Sequence, residues 1–357
     1  MPMLAGRPLR RERHIIVPPF HGSAVAATGG MIRDVTLATF GAYSPGQTFV
    51  VRDVAADFSR DVILRTIFGA DAGSTLDDFR QAAKEFAQSF DYIAFLWLAA
   101  FHFDLDWLPP NRRLARTRRR LEELLQTAIE ASRAGTLPET AILNRIVAAR
   151  YDDGTPMDDE AIRDNMVTTL FAGHKVTVAS LAWAFHWLHR HPECLNALTD
   201  ELAPLGPDAD PAAWAGLPYL DAVVKEVLRM FPRASEIYRL LAKPMELGGY
   251  ELPAGMDLAA APAILHYDPD LFPEPDAFRP ERFLKRRFAP HEFIPFGGGE
   301  RMCPGGHLSA YVLKVALATI FTRWRYTLSD TGPLEVRRIA GMMAPANGIP
   351  VRLQGPR

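Results

Sequence analysis

Apolar residues recur at helical spacing over most of the first two thirds of the chain. The clearest stretches, together with one near the C-terminus, are residues 52–68, 111–133, 217–230 and 308–324. This spacing places the apolar side chains on one face, so each stretch is predicted to be a helix. Gly69, Gly135 and Pro232 follow the first three stretches and are predicted to end them.

Residues 157–190 are predicted to form one long helix through the centre of the molecule. Asp158, Asp159 and Glu160 stand at its start, where negative charge is favoured by the helix dipole. Its middle is apolar nearly all round, which indicates a buried helix. Gly173 interrupts it, and a glycine inside a helix lowers the helix stability by about 1 kcal/mol relative to alanine. Either a group that approaches the backbone closely or a plain packing contact would explain this glycine.

The pattern changes after Pro232. Residues 239–263 contain short apolar runs broken by GGY and PAG, which predicts a small sheet, and a proline-rich irregular segment follows. The predicted fold class is mainly α with small β-sheets. We interpret residues 1–357 as one domain with three parts: a mostly helical 1–231, a β-rich and irregular 232–295, and a final 296–357 with a glycine-rich loop, the last long helix and terminal strands.

Composition excludes several classes of function. The chain has 357 residues, 48% of them hydrophobic, and a formal net charge of -2, so no nucleic-acid partner is indicated. Two cysteines form no disulfide framework and the N-terminus lacks a signal peptide, which favours the cytoplasm. Residues 92–103 are too few for a membrane span of about 20 residues, and residues 166–188 carry His174 and Lys175 at their centre.

Arginines are concentrated near the start of the stretch 111–133. They are Arg112, Arg113, Arg116, Arg118, Arg119 and Arg120. Such a run most often marks a solvated helix face, and a binding role is the alternative.

One of the two cysteines lies in a glycine-rich loop, residues 296–306, which read FGGGERMCPGG. Cys303 precedes a predicted helix, whose positive dipole end favours thiolate over thiol. A tetrahedral zinc site is disfavoured because there is no CxxC pair, and a phosphate loop is disfavoured because no Gly-Lys-Ser/Thr follows. A single thiolate on a tight glycine loop is typical of an axial haem ligand.

The loop resembles the F-x-x-G-x-R-x-C-x-G signature of the cytochrome P-450 superfamily. Phe296, Gly299, Arg301, Cys303 and Gly305 match every defined position. The resemblance implies the P450 fold, a bound haem b (iron protoporphyrin IX) and Cys303 as the ligand to its iron. It also implies that the other four residues shape the haem-binding loop.

Two further motifs occur in the order that the family shows. Glu226 and Arg229 form E-x-x-R on the predicted helix 217–230, and residues 278–283 read FRPERF, similar to the family's PERF segment. The resemblance implies a buried network in which Arg282 joins Glu226 and Arg229. Its role would be structural, because it would fix the cysteine loop.

By the same resemblance, Arg301 is expected to bind a haem propionate. Arg13, in a segment similar to the family's C helix, and Arg239, after the E-x-x-R helix, are expected to do the same. His266 is a further candidate for the cofactor-binding set. The alternative for Arg13 and Arg239 is a surface cation, and His307 is interpreted as helix surface.

The first departure from the family is at the start of the chain. Relatives have strands, two helices and a substrate-covering loop ahead of the C helix, whereas here the C-helix-like segment begins by Leu9. The expected fold is therefore N-terminally shortened, or the distal pocket is unusually open. Leu9 stands where many relatives place a histidine.

The second departure is in the predicted central helix. Relatives read A-G-x-acid-Thr, and the acid and hydroxyl help protons to reach iron-bound oxygen. This chain has Ala172, Gly173, Lys175 in place of the acid, and Val176 in place of the threonine, with Thr177 one position later. Because one position turns a helix by about 100°, Thr177 cannot point in the same direction without a bulge. Ala172, Gly173, Lys175 and Thr177 are the catalytic candidates.

The resemblance implies a haem-thiolate monooxygenase that inserts one oxygen atom into a hydrophobic small molecule. Electrons would come from a ferredoxin or flavodoxin and a reductase, and the protein is expected to be a monomer. Lys285, Arg286 and Arg287 are either a docking site for an acidic ferredoxin or a solvated charge run. The alternatives are a peroxide-using, rearranging or dehydrating enzyme, an impaired haem-binding protein and, more distantly, a non-haem protein with a reactive cysteine.

Two other features have open interpretations. The aromatic residues 90–103 resemble the region that roofs the cavity in relatives, and buried core explains them equally well. Cys194 is interpreted as an inert small residue.

Overall fold

The computed structural model describes residues 4–69, 74–89, 109–339 and 342–357. Its described α-helices are α1 (Gly6–Ile16), α2 (Gly22–Ala26), α3 (Gly29–Phe40), α4 (Val51–Phe68), α5 (Ser74–Ser89), α6 (Pro109–Arg133), α7 (Ile142–Ala148), α8 (Asp159–Arg190), α9 (Pro192–Leu202), α10 (Pro211–Ala215), α11 (Pro218–Met230), α12 (Pro262–Leu265), α13 (Arg282–Lys285) and α14 (Gly306–Arg323). Short 3-10 turns occur at Pro18–Phe20 and Gly299–Arg301.

The described strands are short and pair antiparallel. They are β1 (Thr48–Val50), β2 (Ile237–Leu240), β3 (Met245–Leu247), β4 (Tyr250–Leu252), β5 (Asp257–Ala260), β6 (Trp324–Leu328), β7 (Val336–Ile339), β8 (Met342–Pro345) and β9 (Pro350–Pro356). β9 lies between β1 and β6, so that Val351 is opposite Phe49 on one side and Leu328 on the other. The pairs β2–β5, β3–β4 and β7–β8 complete the described sheets. The predicted fold class, mainly helical with small sheets, is confirmed.

α8 is an uninterrupted helix of 32 residues. The side chain of Asp158 caps it by accepting a hydrogen bond of 2.7 Å from the amide of Ala161, as its acidic start predicts. Leu181 and Phe185 are fully buried in its second half. At Gly173 an added Cβ would lie 3.1 Å from the Cδ1 atom of Ile63 in α4. Gly173 therefore allows α4 and α8 to approach closely, which is the packing alternative stated above.

One contiguous apolar core draws residues from α1 through β9, with Ile15 and Leu353 near its two ends in sequence. Phe40, Phe185 and Phe321 contribute buried aromatic rings, and Phe185 contacts both of the others. Among the residues that the structure describes, no helix is long and apolar enough to cross a membrane. Of the two apolar stretches considered above as membrane spans, residues 166–188 lie inside α8. Residues 92–103 lie outside the described part of the chain.

Candidate active site

The loop that carries Cys303 is held in shape by main-chain hydrogen bonds and glycines. The amide of Cys303 donates to the carbonyl of Phe296 over 2.9 Å, which closes the loop. Gly297 and Gly299 have φ angles of 72° and 65°, a region that favours glycine. An added Cβ at Gly306 would lie 3.1 Å from the ring of Phe296. The sequence thus fixes Cys303 just before the first turn of α14.

Three glycines of the loop have no close neighbour among the residues that the structure describes. An added Cβ at Gly298, Gly299 or Gly305 would meet no heavy atom of these residues within 4 Å, and Cys303 is exposed. In the middle of α8, the residues from Phe171 to Val176 are all partly exposed, between the buried Leu170 and Thr177. An exposed sulfur beside glycines that have room among the described residues suits a planar macrocycle held by a single sulfur ligand.

The electrostatic environment of Cys303 contains opposing effects. Surrounding protein raises the pKa of its thiol above the ordinary value, while the amide of Gly305 and the charges of Arg233 and Arg13 act to lower the pKa. No group of three or more potential metal ligands occurs among the described residues. Cys303 is therefore a single soft donor with cations nearby, which suits one thiolate bond to an iron whose other ligands come from elsewhere.

Two histidines pack against each other next to the loop. The ring centroids of His21 and His307 are 4.3 Å apart. Burial, the charge of His307 and the charge of Arg13 lower the pKa of His21, against a hydrogen bond to the backbone of Pro304. His307 is exposed, as expected, and its ring packs on His21. The pair joins the start of α2 to the start of α14 next to the cysteine.

Glu226 forms a buried ion-paired network with Arg229 and Arg282. Its two carboxylate oxygens accept bonds of 2.8 and 2.9 Å from the Nε and Nη2 atoms of Arg229, and Oε1 also accepts 3.1 Å from Nε of Arg282. Side-chain exposure is 0% for Glu226 and Arg229 and 9% for Arg282. Burial lowers the pKa of Arg282 from its usual range, and the charge of Glu226 opposes that effect.

His266 belongs to this scaffold. It is fully buried, its Nδ1 lies 3.1 Å from the carbonyl of Arg229, and its Nε2 accepts 3.0 Å from the amide of Ile294. Both ring nitrogens are therefore used, and the ring connects α11 to the segment that leads into the cysteine loop. These bonds leave neither ring nitrogen for a cofactor, and the expected cofactor contact of His266 stays a prediction.

His266 should make the protein sensitive to acid. Burial lowers its pKa from 6.5 to about 4. Between these pH values the histidine is protonated in the unfolded chain but neutral in the folded protein. The free energy of unfolding is therefore highest above pH 6.5 and falls as the pH drops toward 4. We expect a loss of about 3 kcal/mol over this range. Urea unfolding at several pH values should show a shallower decrease for His266→Gln, and equal slopes would contradict the assignment.

Comparisons with known proteins agree with this geometry. The cytochrome P450 family model matches residues 3–349. Cytochrome P450 135B1 of Mycobacterium tuberculosis is 33% identical over 98% of this chain and 73% of its own length. The chain belongs to the cytochrome P450 family. Cytochrome P450 138 of the same organism is 34% identical over 92% of this chain and 72% of its own length.

A solved structure shows the same fold. The chain covers 79% of retinoic acid bound cyanobacterial CYP120A1 with a TM-score of 0.84, at 22% identity and over 98% of its own length. P450 enzymes are haem-containing monooxygenases, so this chain is an oxidoreductase of that class. The P450 fold predicted from the motifs is confirmed.

The cations predicted to bind the P450 haem occupy different positions. Arg301 is half-buried and its Nη2 donates to the carbonyl of Leu4. Arg13 is half-buried on α1, and its charge acts on the thiol of Cys303. Arg239 is exposed on β2, where its Nη1 donates 2.8 Å to the carbonyl of Tyr238. Arg233 is the cation of this segment whose charge acts on Cys303, and sequence reasoning missed it.

Thr177 is buried, unlike the six residues before it in the central helix. It lies one turn after Gly173, on the face that meets Ile63 of α4, and it is 4% exposed. Ser59 of α4 also donates 3.0 Å to the carbonyl of His174. Because α8 has no bulge, nothing redirects the hydroxyl. Helix geometry thus places Thr177 near the packing between α4 and α8, and its catalytic role stays a prediction.

Lys175 and Ala172 lie in the half-exposed stretch of α8. The Nζ atom of Lys175 is 4.9 Å from the ring centroid of Phe171, a cation–π contact. Next to it, burial and then the charges of Arg60 and Lys175 lower the pKa of His174 to about 4, so that this ring is neutral at pH 7. The described stretch therefore holds a cation where relatives are expected to hold an acid.

Two other positions singled out in the sequence are Leu9 and residues 90–103. Leu9 is buried, with 3% exposure. Residues 90–103, the suggested roof of the cavity, lie outside the described residues. His21 and Arg233 were missed. His21 lies near the end of the C-helix-like segment that contains Arg13, and Arg233 directly follows Pro232 after α11, but neither was singled out.

Proposed function

We propose that Cys303 binds the iron of a haem b group. Phe296, Gly299 and Gly305 would shape the loop beneath the macrocycle, and Arg13, Arg301 and Arg239 would hold its propionates, with Arg233 as an additional cation. The observation that carries this proposal is the exposed Cys303 on a loop whose Gly298, Gly299 and Gly305 have no close neighbour among the described residues. When bound, the haem supplies the oxygen-activating chemistry.

The substrate that suits this site is a hydrophobic small molecule. In the half-exposed part of α8, Phe171, Ala172 and Val176 offer apolar surface, and Lys175 holds its charge over an aromatic ring. Apolar walls exclude water and bind apolar ligands through the area they bury. We propose oxygen insertion into such a molecule, with substrate hydroxylation as its simplest form.

Electrons would come from a ferredoxin or flavodoxin and its reductase. Arg286 is paired with Glu292 at 2.6 Å, whereas Lys285 and Arg287 are exposed and have no ion pair among the described residues. The two unpaired cations follow the segment of Arg282 and precede the cysteine loop. They could dock an acidic partner. We further propose a monomer of one domain in the cytoplasm, where reduced thiols suit Cys194 and Cys303.

A second candidate function is favoured by the central helix. Lys175 and Val176 offer neither the acid nor the hydroxyl, and Thr177 is directed toward α4. A family member without that proton path could use peroxide, or rearrange or dehydrate its substrate. An impaired haem protein is the third outcome.

Reconstituted turnover distinguishes these functions. Purified protein with haem is supplied with reductase, ferredoxin and NAD(P)H in one arm and with hydrogen peroxide in the other. Oxygenated product in the first arm supports the monooxygenase, and product with peroxide alone supports the second candidate. A haem protein without product in either arm, across a panel of apolar substrates, would contradict both.

Restoring the two missing groups should improve coupling. We expect Lys175→Glu with Val176→Thr to raise the fraction of NADPH electrons recovered in product several-fold, because a general acid–base group contributes at least about 100-fold to proton transfer. The measurement compares product formed with NADPH consumed. Thr177→Ala is the matched control, and it should leave coupling unchanged because Thr177 faces α4. Lower coupling in the Thr177→Ala variant would show that Thr177 belongs to the proton path.

A further inference from the structure

Five arginines on α6 form an exposed group that we name the arginine sector. They are Arg112, Arg113, Arg116, Arg119 and Arg120. None of their side chains has a hydrogen bond or ion pair with another residue that the structure describes. They are not among the residues proposed above to hold the haem.

The arginine sector occupies one side of the helix. At 100° and 1.5 Å per residue, its five members fall within an arc of roughly 120° and a length of about 12 Å. Leu121 and Leu125 are buried on the opposite side. Arg118 also lies outside the arc, where it pairs with Glu122 at 2.6 Å and Asp164 at 2.8 Å. Arg118 therefore joins α6 to α8, and the five others do not support the fold.

The charge arrangement opposes helix stability. The first turn of α6 contains no acidic residue, and Arg112 and Arg113 place positive charge near the positive end of the helix dipole. Arg116 lies three or four positions from Arg112, Arg113, Arg119 and Arg120, so like charges repel along the same face. A group of charges that weakens its own helix and has no internal partner is better explained by an external anion.

We propose that the arginine sector binds anionic phospholipid headgroups at a membrane surface. Four to eight basic residues on one face of an amphipathic helix are the usual footprint of such binding. Guanidinium groups also match phosphate in shape, since each can donate two parallel hydrogen bonds. The sector extends over about 12 Å of one exposed helix face, which fits a layer of headgroups rather than one enclosed anion.

Two other polyanions fit less well. The segment 112–120 has no aromatic residue on which a nucleic-acid base could stack, and the chain carries a formal net charge of -2. An acidic protein would also require an apolar centre for a stable interface, whereas Ala115 is the single exposed apolar residue between the arginines. A headgroup layer requires neither feature.

Vesicle sedimentation tests the proposal with the haem-containing full chain. The probes are vesicles of pure phosphatidylcholine and vesicles with about one third phosphatidylglycerol. We expect binding to the anionic vesicles only, weakened by salt. Replacement of three members, Arg112→Gln with Arg116→Gln and Arg119→Gln, should reduce that binding about 100-fold.

The matched control removes the same charge elsewhere. Arg325→Gln with Arg337→Gln and Arg352→Gln changes three exposed arginines outside α6 and should bind anionic vesicles within about twofold of the original protein. Equal loss in both triple variants would show a nonspecific charge effect and overturn the proposal. So would equal binding to neutral vesicles, no binding to either vesicle, or binding to double-stranded DNA or polyglutamate in their place. Circular dichroism establishes that the variants are folded.

Discussion

Replacement of Cys303 by alanine will abolish the red-shifted Soret band of the reduced carbon monoxide complex. The band reports a thiolate bond to iron, and Cys303 is the single cysteine of the loop. Met302 precedes it with 38% exposure, but an uncharged thioether does not donate as a thiolate does. We expect product formation to fall to background and any retained haem to absorb at shorter wavelength. Visible spectroscopy of the purified variant is the measurement.

Cys194 supplies the control. It is 3% exposed on α9, and burial raises the pKa of its thiol to about 11, so it is neutral and closed to ligands at pH 7. Cys194→Ala should therefore keep the red-shifted band and bind haem normally. A band that persists in Cys303→Ala, or that disappears from folded Cys194→Ala, would remove Cys303 from the iron.

Local patterns predicted the helices that surround the site. Apolar spacing placed α4 and α11 within two residues of their observed ends, and the acids at 158–160 marked the start of α8. The last helix begins at Gly306, two residues before the predicted start, because the loop glycines enter its first turn. Periodicity and capping are short-range properties, so the sequence contains them in readable form.

The directions of side chains between helices could not be read in this way. That Thr177 points toward α4 follows from the contact of Gly173 with Ile63, residues more than a hundred positions apart in the sequence. His266 was assigned to the cofactor by resemblance to the family. Its actual partners, the carbonyl of Arg229 and the amide of Ile294, come from two distant segments. Tertiary packing decides such roles, and no local motif records it.

Glu226 belongs to a sequence motif and also makes hydrogen bonds to distant segments of the chain. Besides the two arginines, its Oε1 atom accepts 2.9 Å from the amide of Arg279, and Arg229 donates 2.8 Å to the carbonyl of His266. The carboxylate thus joins α11 to α13 and to the His266 bridge, which leads to the cysteine loop. The sequence motifs identified the three charged residues, and the structure adds the main-chain groups that complete their hydrogen bonding.

Glu226→Gln should therefore destabilise the protein strongly. The amide has nearly the same shape, but it leaves two guanidinium groups, 0% and 9% exposed, without a compensating charge. Removing one partner of a buried ion pair costs about 3–5 kcal/mol. We expect the free energy of unfolding in urea to fall by that amount with little change in the slope of the transition.

Asp221→Asn on the same helix makes the same chemical change at the surface. Asp221 pairs with Lys225 at 2.6 Å and Lys314 at 3.1 Å, but it is 34% exposed, so solvent replaces much of what the pairs lose. We expect at most about 1 kcal/mol of destabilisation. Similar losses in the two variants would mean that burial does not set the strength of the Glu226 network. A larger loss for Glu226→Gln, also measured without haem, would show that the network stabilises the fold rather than the cofactor bond.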